Sequence, residues 1–262
     1  MKRHAVSIQA RRDQIRAKLR DAGSISVCDM SQAFNVSEST IRRDLEALNG
    51  HGVIRYHGGM KISGSDRESV FEEKRDRSVG VKADIAARAA ESIQDGQTVF
   101  LNAGTTTLAL FRAIKDRDIC IVTNNVAIVM EAATARADLL LVGGQYRPKS
   151  RSLVGGIAAQ SLAQAFADIC FLGTNGVSPD RGLTTILHQE AEVNRAMAAR
   201  SRRVVCIADS SKIGVDAGFV TLPLDKIDAI VTDDGVDPEL LAKLEQTGTV
   251  VELVANASAA RA

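Results

Sequence analysis

The chain has 262 residues, 45% hydrophobic and 25% charged, with a formal net charge of +1, which suits one large domain or a small one plus a medium one. No apolar run reaches the roughly 18 residues a membrane helix needs, and the start MKRHAVSIQARRDQ lacks the apolar core of a secretory signal, so a cytoplasmic protein is expected. The four cysteines (Cys28, Cys120, Cys170, Cys206) are far apart and form no Cys-x-x-Cys pair, which speaks for reduced, buried thiols and against a disulfide framework, a metal site or a metal cofactor.

The small net charge hides an asymmetry. Residues 1–60 carry ten Lys/Arg against six Asp/Glu, a balance of +4, and the remainder carries 23 against 26, a balance of −3. Three of the four histidines, His4, His51 and His57, also lie in the basic end. A basic end on a mildly acidic body points to a polyanion partner for that end.

From Ser7 to about Asn49 the spacing predicts three short helices. Ile8, Ile15 and Leu19 recur at helical intervals until Gly23 stops the run. Ser26 stands three residues before Asp29, an acidic variant of the capping box, ahead of Met30, Ala33 and Phe34. After a turn at Asn35-Val36, Ser37 is the expected N-cap of the third helix, with Glu38 beside its positive end. On that helix Ile41, Leu45 and Leu48 share one face, Ser39, Arg43 and Glu46 point away, and Thr40 and Arg42 flank them. A short helix that offers hydroxyls and arginines outward suits the major groove, where a guanidinium forks onto guanine or clamps a phosphate. The next stretch, GHGVIRYHGGM, reads as a two-stranded wing, with Arg55, His57 and the flexible Gly58-Gly59 placed to reach the adjacent backbone or the minor groove.

Residues 61–80 are polar and lack a clear apolar face, so they read as a linker, partly helical around Phe71. From Lys82 the rhythm changes. The runs TVFL, ICIVT, DLLLV, ICFLG, VVCIA and DAIVT alternate with helical stretches at 83–94, 125–135, 156–166, 189–200 and 237–246. Strands apolar throughout are those buried on both faces of a parallel sheet, and regular β-then-α order predicts a doubly wound α/β domain.

In such a sheet, ligands sit beyond the carboxyl ends of the strands. There the chain places Asn102-Ala103-Gly104-Thr105-Thr106-Thr107, Asn124-Asn125, Gly143-Gly144, Gly173-Thr174-Asn175-Gly176 and Asp209-Ser210-Ser211-Lys212. Gly104 to Thr107 make an anion cradle at a helix start. Asn124, Asn175 and Asp209 suit hydroxyls, and Lys212 supplies positive charge. Together these fit a phosphorylated sugar or polyol. Glu190 and Glu192 open a helix, where they either favour its dipole or, for Glu190, meet the ligand. The basic loop Tyr146 to Arg151 either covers the site or faces solvent.

The string VSESTIRRDLEAL followed by GVIRYHGGM resembles the signature of the DeoR family of bacterial transcriptional regulators, over about residues 11 to 60. The resemblance implies a winged helix-turn-helix at residues 1–60, a linker at 61–80, and an effector-sensing and oligomerisation domain at 81–262 similar to ribose-5-phosphate isomerase. It makes Thr40, Arg42 and Arg43 DNA-contacting positions and His57 to Gly59 the wing. LNAGTTT, VTNN, LLLVGG, ADICFLGTNGVSPDRGLTT and ADSSK carry the likeness through the second domain. The chain departs from the family at two places: Asn102 stands where aspartate is common, and Asn194 where many members carry lysine. The implied partners are operator DNA, a phosphorylated sugar and further copies of the chain in a dimer or tetramer, with association with the nucleoid when bound to DNA. The implied function is a repressor of a sugar or polyol operon released by that sugar phosphate. Two readings compete with it: a sugar-phosphate isomerase with a DNA-binding appendage, and a DNA binder that senses nothing. The isomerase reading lacks an acid in the loop Gly173-Thr174-Asn175-Gly176, where enediol chemistry would want its base.

Overall fold

The computed structural model describes residues 11–15, 18, 24–34, 36–48, 53–56, 59–62 and 71–255. It divides into two compact units, residues 1–67 and 68–262.

In the first unit residues 11–15 are helical. Strand β1 (Ser24–Ser26), helix α1 (Val27–Phe34), helix α2 (Glu38–Leu48) and strands β2 (Val53–Tyr56) and β3 (Gly59–Ile62) follow. The wing has three strands, not the two expected, in antiparallel order β1-β3-β2. The short Ser24–Ser26 run was invisible because its partner lies far along the chain, Ser24 pairing with Lys61, 37 residues away. Ile15, Val27, Met30, Ile41 and Leu45 form the small core, with Phe34 and Val36 packed against it.

One buried charge cluster fixes the third helix. Asp44 is 2% exposed, and its carboxylate accepts from Arg11 Nε at 2.6 Å and from Arg12 Nε at 2.9 Å. These two arginines therefore pin the helix from behind, and the helix face opposite Asp44 stays open.

The second unit begins with helices α3 (Phe71–Asp76) and α4 (Val79–Ala90). Both lie in the stretch read as linker or close to it. Phe71 is buried, and the helix expected from residue 83 starts four residues earlier, at Val79. Then come β4 (Thr98–Leu101), α5 (Thr105–Ile114), β5 (Cys120–Thr123), α6 (Val126–Glu131), β6 (Asp138–Leu141), β7 (Gln145–Arg147), β8 (Ser152–Val154) and α7 (Gly156–Leu162). The chain continues through β9 (Ala167–Leu172), β10 (Gly176–Ser178), β11 (Gly182–Thr185), α8 (His188–Ala199), β12 (Ser201–Ile207), β13 (Phe219–Leu222), β14 (Ala229–Asp233), α9 (Pro238–Glu245) and β15 (Val250–Val254).

Seven strands form one parallel sheet in the order β15-β14-β12-β9-β4-β5-β6. The α/β class and the doubly wound parallel sheet read from the apolar runs are present. Alternate side chains enter two separate cores. Val99, Leu101, Ile169, Phe171, Val205 and Ile207 join the core under α4, α5 and α6. Phe100, Cys170, Leu172, Val204 and Cys206 join the core on the other face. Burial pushes the thiols of Cys170 and Cys206 up to about 12, which leaves them as inert packing groups.

DLLLV departs from its expected double burial. As β6 it is the last strand of the sheet, and Leu140 and Leu141 are exposed. Two further features were not read from the sequence: the β7-β8 hairpin and a small antiparallel sheet β10-β11-β13.

The chain starts the sheet at β4, runs outward to β5 and β6, then returns to the other side of β4 with β9. The connections therefore leave β4 and β9 in opposite directions, the topological position at which open parallel sheets bind their ligands.

Replacing Asp44 by alanine would leave the largely buried Arg11 without its carboxylate. Asp44→Ala in the full chain is expected to cost about 3 kcal/mol in urea unfolding of the amino-terminal unit, and an unchanged midpoint would refute the clamp.

Candidate functional site

The open face of α2 is built by its cap. The Thr40 amide donates to Ser37 Oγ at 3.3 Å, and Ser37 Oγ lies 2.9 Å from both Ser39 Oγ and Thr40 Oγ1. Ser37, Ser39 and Arg43 are exposed and Thr40 is half-buried, while Ile41 and Leu45 turn inward. Ser39 and Arg43, four residues apart, share one outward face. The backbones of Arg42 in α2 and Arg55 in β2 are described but their side chains are not, and His57 and Gly58 lie outside the described residues.

The second constellation lies at the carboxyl edge of the seven-stranded sheet. Asn102, just past β4, is 2% exposed and fully engaged. Its Nδ2 donates to Gly173 O at 2.8 Å and to Asn194 Oδ1 at 3.0 Å, and its Oδ1 accepts from the Gly173 amide at 2.8 Å. Asn102 and Gly173 thus close the switch point between β4 and β9, and their polar groups are not open to a ligand. The two departures, Asn102 and Asn194, are in contact.

Thr107 is likewise turned inward: Thr107 Oγ1 donates to Asn102 O at 2.7 Å and lies 3.1 Å from Gly104 O. Asn125 Nδ2 donates to the same Gly104 carbonyl at 3.0 Å, and Asn125 Oδ1 caps α6 by accepting from the Ala127 amide at 3.1 Å. Asn125 and Thr107 therefore shape the cradle. With the Gly104 carbonyl held this way, the amides of Thr105, Thr106 and Thr107 at the start of α5 engage no partner among the described residues, and neither do the hydroxyls of Thr105 and Thr106. Unpaired amides at a helix start, with hydroxyls beside them, suit a phosphate.

The remaining predicted residues divide in the same way. Asn124 Nδ2 donates to Leu153 O at 2.9 Å, while its buried Oδ1 has no partner and calls for a donor. Asn175 Oδ1 accepts from Thr185 Oγ1 at 2.9 Å. Thr185 Oγ1 also lies 3.2 Å from Glu190 Oε2. One hydroxyl has one proton, so the carboxylate of Glu190 keeps capacity for another donor. Its other oxygen lies 3.4 Å from Ser152 Oγ on the hairpin. The basic loop thus stands at the rim through its hairpin.

The predicted glycines after the other strands serve packing. An added Cβ at Gly176 would lie 2.2 Å from Val215 O, and one at Gly144, where φ is +143°, would lie 2.9 Å from Val154 O. An added Cβ at Gly143 would meet side chains alone, Ile157 Cγ2 at 3.3 Å and Ser161 Oγ at 3.9 Å. Gly144 and Gly176 are required because backbone passes there, leaving no face for a ligand.

Asp209 accepts from the Ser211 amide at 3.2 Å and from Ser211 Oγ, capping the turn that carries half-buried Lys212. Lys82 had been missed. It is 6% exposed in the first turn of α4; burial pushes its pKa down, Asp209 pushes it up, and Lys212 pushes it down again. Lys82 thus lies within the electrostatic reach of both Asp209 and Lys212. The signal was present in the sequence: Lys82 stands three, four and seven residues before Ile85, Ala86 and Ala89, on the buried face of its helix. Asp233 was also missed; it accepts from the Ser210 amide at 2.6 Å and from Ser210 Oγ at 2.7 Å. Among the described residues no His/Cys/Asp/Glu cluster is placed to hold a metal ion, and no helix is long and apolar enough to cross a membrane.

Residues 11–66 match the model of the DeoR-like helix-turn-helix domain, and residues 77–234 that of the DeoR C terminal sensor domain. The chain is 35% identical over 250 residues, 93% of each chain, to a putative aga operon transcriptional repressor of Escherichia coli O157:H7. It is 36% identical over 239 residues, 90% of this chain and 94% of the other, to the HTH-type transcriptional regulator GlpR of Haloferax volcanii. Among solved structures, ribose 5-phosphate isomerase A of Methanocaldococcus jannaschii aligns with 50% of this chain and 52% of its own, at 17% identity and a TM-score of 0.37, too distant a likeness to bear on activity.

The contact between Asn102 and Asn194 makes their substitutions interdependent. Asn102→Asp alone sets a carboxylate oxygen against the Gly173 carbonyl and is expected to cost about 1–3 kcal/mol. Asn194→Lys in the same chain supplies an ammonium to that carboxylate and should restore part of the loss. Thermal unfolding of the two single variants and the double variant checks this, and simple additivity would contradict it.

Proposed function

The chain belongs to the DeoR family of transcriptional regulators, and from that membership we propose that it represses an operon for sugar or polyol use and leaves its operator when a phosphorylated sugar or polyol binds the sheet crevice. It is a DNA-binding regulator, not an enzyme. The observation that carries the effector reading is the start of α5, where the amides of Thr105 to Thr107 and the hydroxyls of Thr105 and Thr106 are unengaged among the described residues. Lys82 and Lys212 add positive charge at the same edge of the sheet. The unpartnered Asn124 Oδ1 and the carboxylate of Glu190 would take hydroxyl donors, as a polyol backbone requires.

The related protein of Escherichia coli O157:H7 is described as a repressor, which favours repression here. Ser37, Ser39, Thr40 and Arg43, with Arg42, are the groups we assign to DNA, and Arg55, His57 and Gly58 complete the set through the wing. A second copy of the chain is required by the reading, because paired recognition helices fit half-sites about one helical turn apart. The cytoplasm is the compartment in which such a protein would meet both DNA and phosphorylated metabolites.

Ligand preference between two arrangements of the oligomer would supply the switch, since a ligand shifts an equilibrium only by its difference in affinity. At 100 times its dissociation constant an effector adds about 2.7 kcal/mol of stability. A thermal-shift series with ribose 5-phosphate, fructose 6-phosphate, glucose 6-phosphate and glycerol 3-phosphate should therefore give a clear rise with at least one, and none with the unphosphorylated parents. No rise in the whole series would sink the sensing assignment. On the DNA side, Arg43→Ala is expected to cost about 1–3 kcal/mol in operator affinity and to relax preference at one base position. Equal losses on all DNA sequences would instead make Arg43 a phosphate contact.

A further inference from the structure

Helix α3 has six residues, too few to be stable by itself. It is held at both ends by groups that also belong to the sheet crevice. At its start, the Phe71 ring is buried and the Phe71 amide donates to Lys149 O at 2.9 Å. The Arg151 guanidinium lies 5.3 Å from the centre of that ring and pairs with Glu72. At its end, Lys82 Nζ donates to Lys74 O and Arg77 O, and Ser78 turns the chain in a left-handed conformation at φ 51°.

The Arg151 anchor is joined to the predicted effector residues by hydrogen bonds, and the Lys82 anchor lies within the electrostatic reach of two of them. Arg151 is itself left-handed, at φ 48°, in the loop of the β7-β8 hairpin. The Val126 amide donates to Arg151 O at 2.8 Å. The next residue, Ser152, reaches Glu190, and Leu153 exchanges hydrogen bonds with Asn124, whose Oδ1 is the unsatisfied acceptor. Lys82 lies in the field of Asp209 and Lys212. In the sequence, α3 starts nine residues after Ile62, the last residue of β3.

We propose that α3 is a latch: Arg151 and Lys82 hold it against the sensor unit, and an anion in the crevice loosens it by drawing Lys82 from the carbonyls of Lys74 and Arg77 and by moving Ser152 and Leu153. Its release frees the chain that leads to the DNA-binding unit. The inference rests on the sensing assignment above but adds a named mechanical element. Arg151, Ser152 and Lys82 act here as positioning residues. On the Arg151 side each step is a hydrogen bond, an ion pair or a ring contact, and on the Lys82 side the link to Asp209 and Lys212 is electrostatic.

The latch can be read without an effector, by trypsin cleavage of the full-length protein after Lys74, Arg75 and Arg77, located by mass spectrometry. When opening is fast relative to cleavage, the cleavage rate follows the population of the open form. Phe71→Ala removes the ring under Arg151 and should raise cleavage there about tenfold. Ser152→Ala, on the crevice side of the hairpin, should raise it severalfold. The Phe71→Ala/Ser152→Ala double variant should be cleaved no faster than Phe71→Ala alone. Each variant is first checked for cooperative thermal unfolding, and Arg151→Lys, which keeps the charge and loses the planar stacking, replaces any that fails. Wild-type cleavage on Phe71→Ala would overturn the latch. Wild-type cleavage on Ser152→Ala, or multiplicative effects in the double variant, would overturn its coupling to the crevice.

In the ligand arm, glycerol 3-phosphate and ribose 5-phosphate are added to wild type, and faster cleavage after Lys74 to Arg77 is the expected result. Slower or unchanged cleavage, with a thermal shift showing that the compound binds, would overturn the direction of release. If none of the four phosphorylated compounds binds and the mutational arm succeeds, the anchoring of α3 stands and the sensing assignment fails.

Discussion

Past the last residues of β4 and β9 the backbone ladder runs out, and the carboxamide of Asn102 continues it. One side-chain oxygen takes the Gly173 amide, and the side-chain nitrogen returns a bond to the Gly173 carbonyl and another to Asn194. An asparagine side chain carries both a donor and an acceptor, so it can stand in for a peptide group. This bond holds together two loops that must leave in opposite directions. The Gly104 carbonyl beside it is turned inward to Thr107 and Asn125, and the amides at the start of α5 are left without partners among the described residues.

The same economy orders the amino-terminal unit. Its arginines include two adjacent pairs, Arg11-Arg12 and Arg42-Arg43, and Arg43 turns the opposite way from Arg11. Arg11 and Arg12 neutralise the buried Asp44, and that fixes which way α2 faces. Arg43, one residue before that carboxylate, is exposed. A charge turned inward thus determines that a neighbouring charge is presented outward.

Much of the fold was legible in the sequence because the parallel strands repeat one pattern. Apolar side chains at every position mean two buried faces, and five of the six predicted runs lie inside the sheet with their alternate residues in two cores. DLLLV fails at the same test for a reason no local pattern contains: its place at the edge is set by strand order. The third wing strand, the β7-β8 hairpin and the small sheet are only three or four residues per strand, and β1 and β13 take their partners from far along the chain. The crevice loops were found because small and polar residues cluster after strands. Which of those residues point inward was not legible, since Asn102, Thr107 and Asn125 differ from Thr105 and Thr106 only in where their bonds go. Lys82 was legible by its helical phase among Ile85, Ala86 and Ala89, but a lysine after a polar stretch reads as the start of a surface.

The contact between Asn102 and Asn194 also divides the molecule by its response to ionic strength. Attraction between unlike charges weakens as salt is added, and a grip on DNA phosphates weakens steeply. Two neutral amides carry no net charge to screen or to titrate, so the bonds that join Asn102 to Gly173 and Asn194 should depend little on ionic strength or on mild acid and alkali. A grip on the duplex and a phosphate held near Lys212 would both weaken with salt, while the junction between β4 and β9 is insulated by its lack of charge.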